Sequence, residues 1–134
     1  MKTLIIILAL ALTATSSYAQ CEKNVVLKFN EITEIRDTVR STPKVNGTFT
    51  FRKDKIVMKA ERAGGEMIIE SEIRSVTTCE WDTYLSTGRS EYKVMTRKGT
   101  EGPQDPATII LEGSNKKLKV TFRPPGAELQ FNIT

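Results

Sequence analysis

Lys117-Leu118-Lys119-Val120-Thr121-Phe122-Arg123, followed by Pro124-Pro125-Gly126-Ala127 and then Glu128-Leu129-Gln130-Phe131-Asn132-Ile133, decides the fold class. Apolar and polar side chains alternate strictly on both sides of the proline-glycine step, which is the signature of half-buried strands. The prolines preset φ and the glycine tolerates φ > 0, so the two strands read as a hairpin. The same reading extends upstream. Phe49 and Phe51 precede the polar turn Arg52-Lys53-Asp54-Lys55, and Ile56, Met58 and Ala60 follow it, predicting a second hairpin.

The longest alternation starts after Gly64-Gly65. Met67, Ile69, Ser71, Ile73 and Ser75 share one face, Glu70, Glu72 and Arg74 the other, and the pattern runs on towards Cys79 and Trp81. One strand of that length is unusual, so a bend is expected near Thr77-Thr78. Val25, Leu27 and Phe29 open the series. Tyr92 and Val94 belong to a strand after a Ser86-Thr87-Gly88 turn, and Ile109 and Leu111 to another, linked by Gly113-Ser114-Asn115 to the Leu118 strand. Only Glu31 to Arg40 tempts a short helix, and the β-branched Thr33, Thr38 and Val39 weaken it. The expectation is all-β: a small antiparallel meander of about eight strands, closed as a barrel or folded as a sandwich to protect its edges. Lys98 to Ala107 is rich in Gly and Pro, and Pro103 and Pro106 argue against a central strand there. It reads as a solvated connection or as a loop rimming a binding site.

Residues 1–19 have the three parts of a secretory signal: basic Lys2, an apolar run from Leu4 to Leu12, and the small-residue exit Ser17-Tyr18-Ala19. The run is far short of the roughly 20 apolar residues that span a bilayer. A lipobox before Cys21 fails at Gln20 and Tyr18. The Tyr-Ala-Gln junction resembles exported proteins of Gram-negative bacteria. The expected product is a single domain over residues 20–134 with no transmembrane anchor, periplasmic or secreted. Loss of Lys2 lowers the formal net charge of +4 by one. That mild, scattered charge makes nucleic acid an unexpected partner. Cys21 and Cys79 are the only two cysteines. An even count in an oxidising compartment reads as one structural disulfide. The alternative is a redox-active thiol, but neither cysteine lies in a Cys-x-x-Cys arrangement.

The sequence contains no histidine. This removes Ser-His-Asp and Cys-His hydrolases and the usual zinc site. Ser90-Glu91-Tyr92-Lys93 has Ser-x-x-Lys spacing, but on a strand those two residues face opposite sides, and no Ser-Asp-Asn or Lys-Thr-Gly accompanies it. Glu70 with Glu72, and Glu80 with Asp82, are paired acids that read as cross-strand charge pairing before they read as glycosidase or Ca²⁺ chemistry. Lys116, Lys117, Lys119 and Arg123 form a basic strip, either a guard against edge pairing or a contact for anionic head groups. No catalytic, cofactor or metal motif is read from the residues.

The reading is therefore a non-enzymatic binding protein for a small apolar or amphiphilic ligand. Its candidate cavity lining is Phe49, Phe51, Ile69, Ile73, Trp81, Val120, Phe122 and Phe131, with Leu129 on the same inward set. In strand number and order the outline is similar to lipocalin-like proteins, although no Gly-x-Trp opening stands near the mature N-terminus. That similarity implies a barrel with an accessible interior and assigns no residue. The alternative is an interaction or structural module of the cell envelope that recognises a protein or glycan, and a third is a carboxylate-dependent enzyme. A carrier needs an interior void of some 300 Å³ or more; a solid interior favours the interaction module.

Overall fold

A computed structural model describes residues 21, 23–37, 39–42, 44–62, 64–99 and 102–134. The expected leader lies outside them. Nine strands follow in order: β1 (Val25–Arg36), β2 (Val39–Ser41), β3 (Lys44–Phe51), β4 (Lys55–Arg62), β5 (Gly65–Thr83), β6 (Thr87–Lys98), β7 (Asp105–Ser114), β8 (Lys117–Arg123) and β9 (Glu128–Ile133). From β3 onward each strand pairs antiparallel with the next. β1 closes the ring by pairing with β3 on one side and β9 on the other, so eight strands form a barrel and a sandwich is excluded. Closure removes the unpaired edges that a meander of this length would otherwise expose. β2 is an extra strand that doubles back along the end of β1.

In the Glu31–Arg40 segment, where a short helix is the alternative, the described residues are extended apart from the turn at Asp37, because pairing with β9 and β2 supplies the backbone bonds that weak helix propensity does not. β5 is one continuous strand of 19 residues. At about 3.3 Å per residue it would run about 60 Å if straight. Register shifts at Ile73/Ser75, Val76/Thr78 and Trp81/Thr83 coil it around the barrel instead, the middle one at the predicted bend. The first shift also breaks the expected face: Ser75 is exposed and Val76 packs against the core.

Two turns differ from the sequence reading by a residue or two. The β5–β6 turn occupies Tyr84–Ser86, closed by Ser86 N–H donating to the Thr83 carbonyl at 3.0 Å, while Gly88 lies inside β6 opposite Trp81. The β7–β8 turn is Asn115-Lys116, both with positive φ, the tight hairpin turn whose twist matches the strands. Pro106 sits inside β7 but at its start. It faces Met95 of β6, and β8 joins β7 only from Thr108, so no β8 bond is lost to the missing N–H.

The interior is built unevenly along the barrel axis. Around the middle, Phe29, Phe49 and Phe131 form a triangle with ring centroids 4.7–5.4 Å apart. Phe51 extends it to Tyr92 at 5.9 Å. Gly47 belongs to this packing: a Cβ there would collide with the Phe29 ring and the Lys59 carbonyl, so only glycine admits the ring. Cys21 and Cys79 are joined, tying the N-terminal segment to β5 across 58 positions with Cα atoms 6.2 Å apart. Cys21 is buried, and its sulfur lies 3.2 Å from the Ser90 hydroxyl, which also accepts the Trp81 indole N–H at 2.6 Å. This end of the barrel is closed.

Candidate functional site

The opposite end is open. Its lip is formed by the end of β1, the start of β5, the end of β6, Gly102 and Pro103, the start of β7 and the β8–β9 turn. Within the lip lies a cavity of about 680 Å³. Met67, Ile69, Ala107, Phe122 and Leu129 supply its apolar lining; Glu34, Arg36, Arg97, Lys98 and Asp105 supply charge at the rim. The volume falls in the range of sites that enclose drug-sized ligands, and an apolar bed with few polar groups is their usual lining.

The floor is set by what packs below. Between Phe49, Ile56, Met58, Ser71 and Ile109 only about 10 Å³ remains, at most the space of one water. Ser71, almost wholly buried, and Thr96 hydrogen-bond to each other at 2.6 Å where the open and solid halves meet. Of their two hydroxyl protons, one is spent in that bond, so the pair joins the apolar bed to the packed floor with one proton left over.

Local sequence explains the lip. Pro124-Pro125-Gly126-Ala127 forms a tight turn in which Gly126 takes φ 79° and Ala127 N–H reaches the Pro124 carbonyl at 3.4 Å. The strands on either side are clamped by Arg123 Nε donating to Glu128 at 2.7 Å and Gln130 donating to the same carboxylate at 3.1 Å. The Arg123 guanidinium bond holds the Glu128 carboxyl below the usual carboxylate range, with Gln130 and the positive charges of Arg123 and Lys119 assisting against a smaller effect of burial. On β1, the register shift between Phe29 and Ile32 turns Glu34 and Arg36 towards the cavity, where they pair with each other at 2.6 Å.

The predicted lining residues are divided by this architecture. Ile69 and Phe122 line the cavity, joined by Leu129. Phe49, Phe51, Val120 and Phe131 are packed in the solid part, with Phe49 also under the floor. Ile73 borders a separate polar hollow with Asp54, Lys55, Glu70, Glu72 and Arg97. Trp81 belongs to the closed end, stacked edge-on against Tyr84 at 5.5 Å. Burial, assisted by the nearby Tyr92 phenol, pushes Tyr84 up to about 12. Sequence reading missed Met67, Ala107, Glu34 and Arg36 as lining. Met67 shares the inward face of Ile69 and was legible; Glu34 and Arg36 depend on a bulge that has no local signal. The 98–107 segment, singled out as a loop able to rim a site, contributes Lys98, Gly102, Pro103, Asp105 and Ala107.

Several of the other singled-out groups are engaged elsewhere. Ser90 is buried at the closed end and Lys93 lies outside, bonded to Thr108 at 3.1 Å, so the two do not meet. Glu70 pairs with Lys55 at 3.7 Å and Glu72 with Arg74 at 3.4 Å. Lys119 and Arg123 of the basic strip pair with Glu112 and Glu128. Fold and cavity together define a closed eight-stranded antiparallel barrel with one plugged end and one open mouth. The chain matches no protein-family profile, no curated protein and no solved structure. Among the described residues no helix is long and apolar enough to cross a membrane.

Proposed function

We propose that the protein is an exported, non-enzymatic carrier that binds a small apolar or amphiphilic ligand in the open mouth of the barrel. The observation that supports this most is the division of the interior: a mouth cavity of about 680 Å³ with an apolar bed and a charged rim, above a floor with almost no free space. A ligand that displaces water from Ile69, Ala107, Phe122 and Leu129 gains about 25 cal/mol per Å² of apolar surface covered. The charged rim leaves its polar end in contact with water. A disulfide and the signal-like residues 1–19 support a location outside the cytoplasm.

The test is binding of the neutral fluorescent probe N-phenyl-1-naphthylamine, with native mass spectrometry of the purified protein for a co-purified small molecule. Saturable, one-to-one uptake that Leu129→Trp abolishes is the expected result, since Leu129 is half-buried at the lip and an indole there fills the mouth without entering the packed half. No uptake and no co-purified ligand would overturn the carrier reading in favour of an envelope interaction module.

A further inference from the structure

The charges at the lip are not equally available. Glu34 and Arg36 are spent on one another at 2.6 Å. Lys98 opposes Ile69 across the β5–β6 ladder, and directly opposed residues share a face, so its stem rises from the cavity side of the barrel. Arg97 opposes Glu70 and so leaves the strand on the outer face, beside Glu70 and Glu72, which pair with Lys55 and Arg74, and it reaches the cavity at the rim. Among the described residues neither Arg97 nor Lys98 has an ion-pair partner, and both line the cavity. Among the described residues the one uncommitted acid on the lining is Asp105, which opposes Thr96. Among the described lining residues, two cations without an ion-pair partner, Lys98 from the cavity side and Arg97 from the outer side, thus meet one such anion at the edge of a bed built from Ile69, Ala107, Phe122 and Leu129.

Resting on the carrier reading above, we propose that the ligand is an anionic amphiphile, its acidic head held at the lip by Lys98 and Arg97 and its apolar body laid on that bed. The bond-forming groups suit a carboxylate, sulfate or phosphate ester alike, since ammonium and guanidinium both donate to anionic oxygens. A cationic amphiphile would bring like charge against both side chains. A neutral one would gain the same apolar contact and no charge contact.

The experiment compares sodium dodecanoate, dodecanol and dodecyltrimethylammonium, each below the concentration at which it self-associates, by calorimetric titration of the oxidised protein. Dodecanoate is expected to bind about tenfold more tightly than dodecanol, the scale of two partly screened ion pairs, with the ammonium compound weakest and the preference shrinking at high salt. The Arg97→Glu/Lys98→Glu double variant should reverse the order of the two charged probes while dodecanol affinity is retained, which also shows that the mouth has kept its shape. Asp105→Asn should tighten dodecanoate binding. Equal binding of dodecanoate and dodecanol, or a double variant with the original order, overturns the anionic assignment and leaves the carrier reading standing. Failure of all three probes to bind overturns the carrier reading itself and this assignment with it.

Discussion

Replacing Phe131 by alanine should cost far more stability than replacing Phe122, although the two are equivalent by sequence: both are inward phenylalanines in the final hairpin. Phe131 has no exposed surface and meets Phe29 and Phe49 at 4.8 and 4.7 Å. Its removal forfeits about 2 kcal/mol of transfer free energy and leaves a void of about 100 Å³, which at about 24 cal/mol per Å³ adds about 2.4 kcal/mol. The expected loss is about 4.5 kcal/mol. Phe122 lies between the open cavity and the packed floor, so the space its removal leaves joins one that solvent reaches and most of the void contribution falls away. About 2 kcal/mol is expected there. In urea unfolding followed by circular dichroism, with a slope of about 1.5 kcal/mol per M, the midpoints should fall by about 3 M and about 1.3 M. Should Phe131→Ala fail to fold, Phe131→Leu and Phe122→Leu should keep the same order. Equal costs, or a greater cost at Phe122, would refute the division into a solid half and a hollow half.

Four further outcomes are expected. Reducing the Cys21–Cys79 bridge, which spans 58 positions, should lower stability by about 4 kcal/mol on loop-entropy grounds, read as a midpoint shift between oxidised and reduced protein in urea. Gly47→Ala should cost about 1–3 kcal/mol by overpacking, because its methyl would meet both the Phe29 ring and the Lys59 carbonyl; a companion Phe29→Leu change, which clears the ring contact, should recover part of that loss. Glu128 titrates below the ordinary carboxylate range when folded, so the stability lent by its Arg123 bond is present above the unfolded-state value and lost as pH falls through the folded-state value. Wild type and Glu128→Gln should therefore differ slightly near neutral pH and converge in acid unfolding curves. Tyr84 has the opposite sign: its raised value means stability is intact below the unfolded-state phenol value near 10 and declines as pH rises towards about 12, which absorbance titration of the folded protein should follow.

Local information carried much of this protein. Strict alternation in Lys117–Arg123 and Glu128–Ile133, with prolines and a glycine between them, is enough for a hairpin, because side-chain period and turn φ preferences act within a few residues. Strand class, the final two hairpin partners, the bend in β5 and the pairing of two cysteines were all legible on that basis. Three things were decided only when distant strands met. Closure of β1 on β9 chose a barrel over a sandwich, since ring closure depends on the summed twist and stagger of eight strands. The bulges in β1 and β5 re-aimed Glu34, Arg36 and Val76, because an extra residue in one strand has meaning only against its partner's register. The separation of Phe131 from Phe122 into packed core and cavity wall reflects how side chains from opposite sides of the ring fill its cross-section. Near the middle three aromatic rings converge and exclude space; towards the mouth Ala107 and the bent lip leave it open.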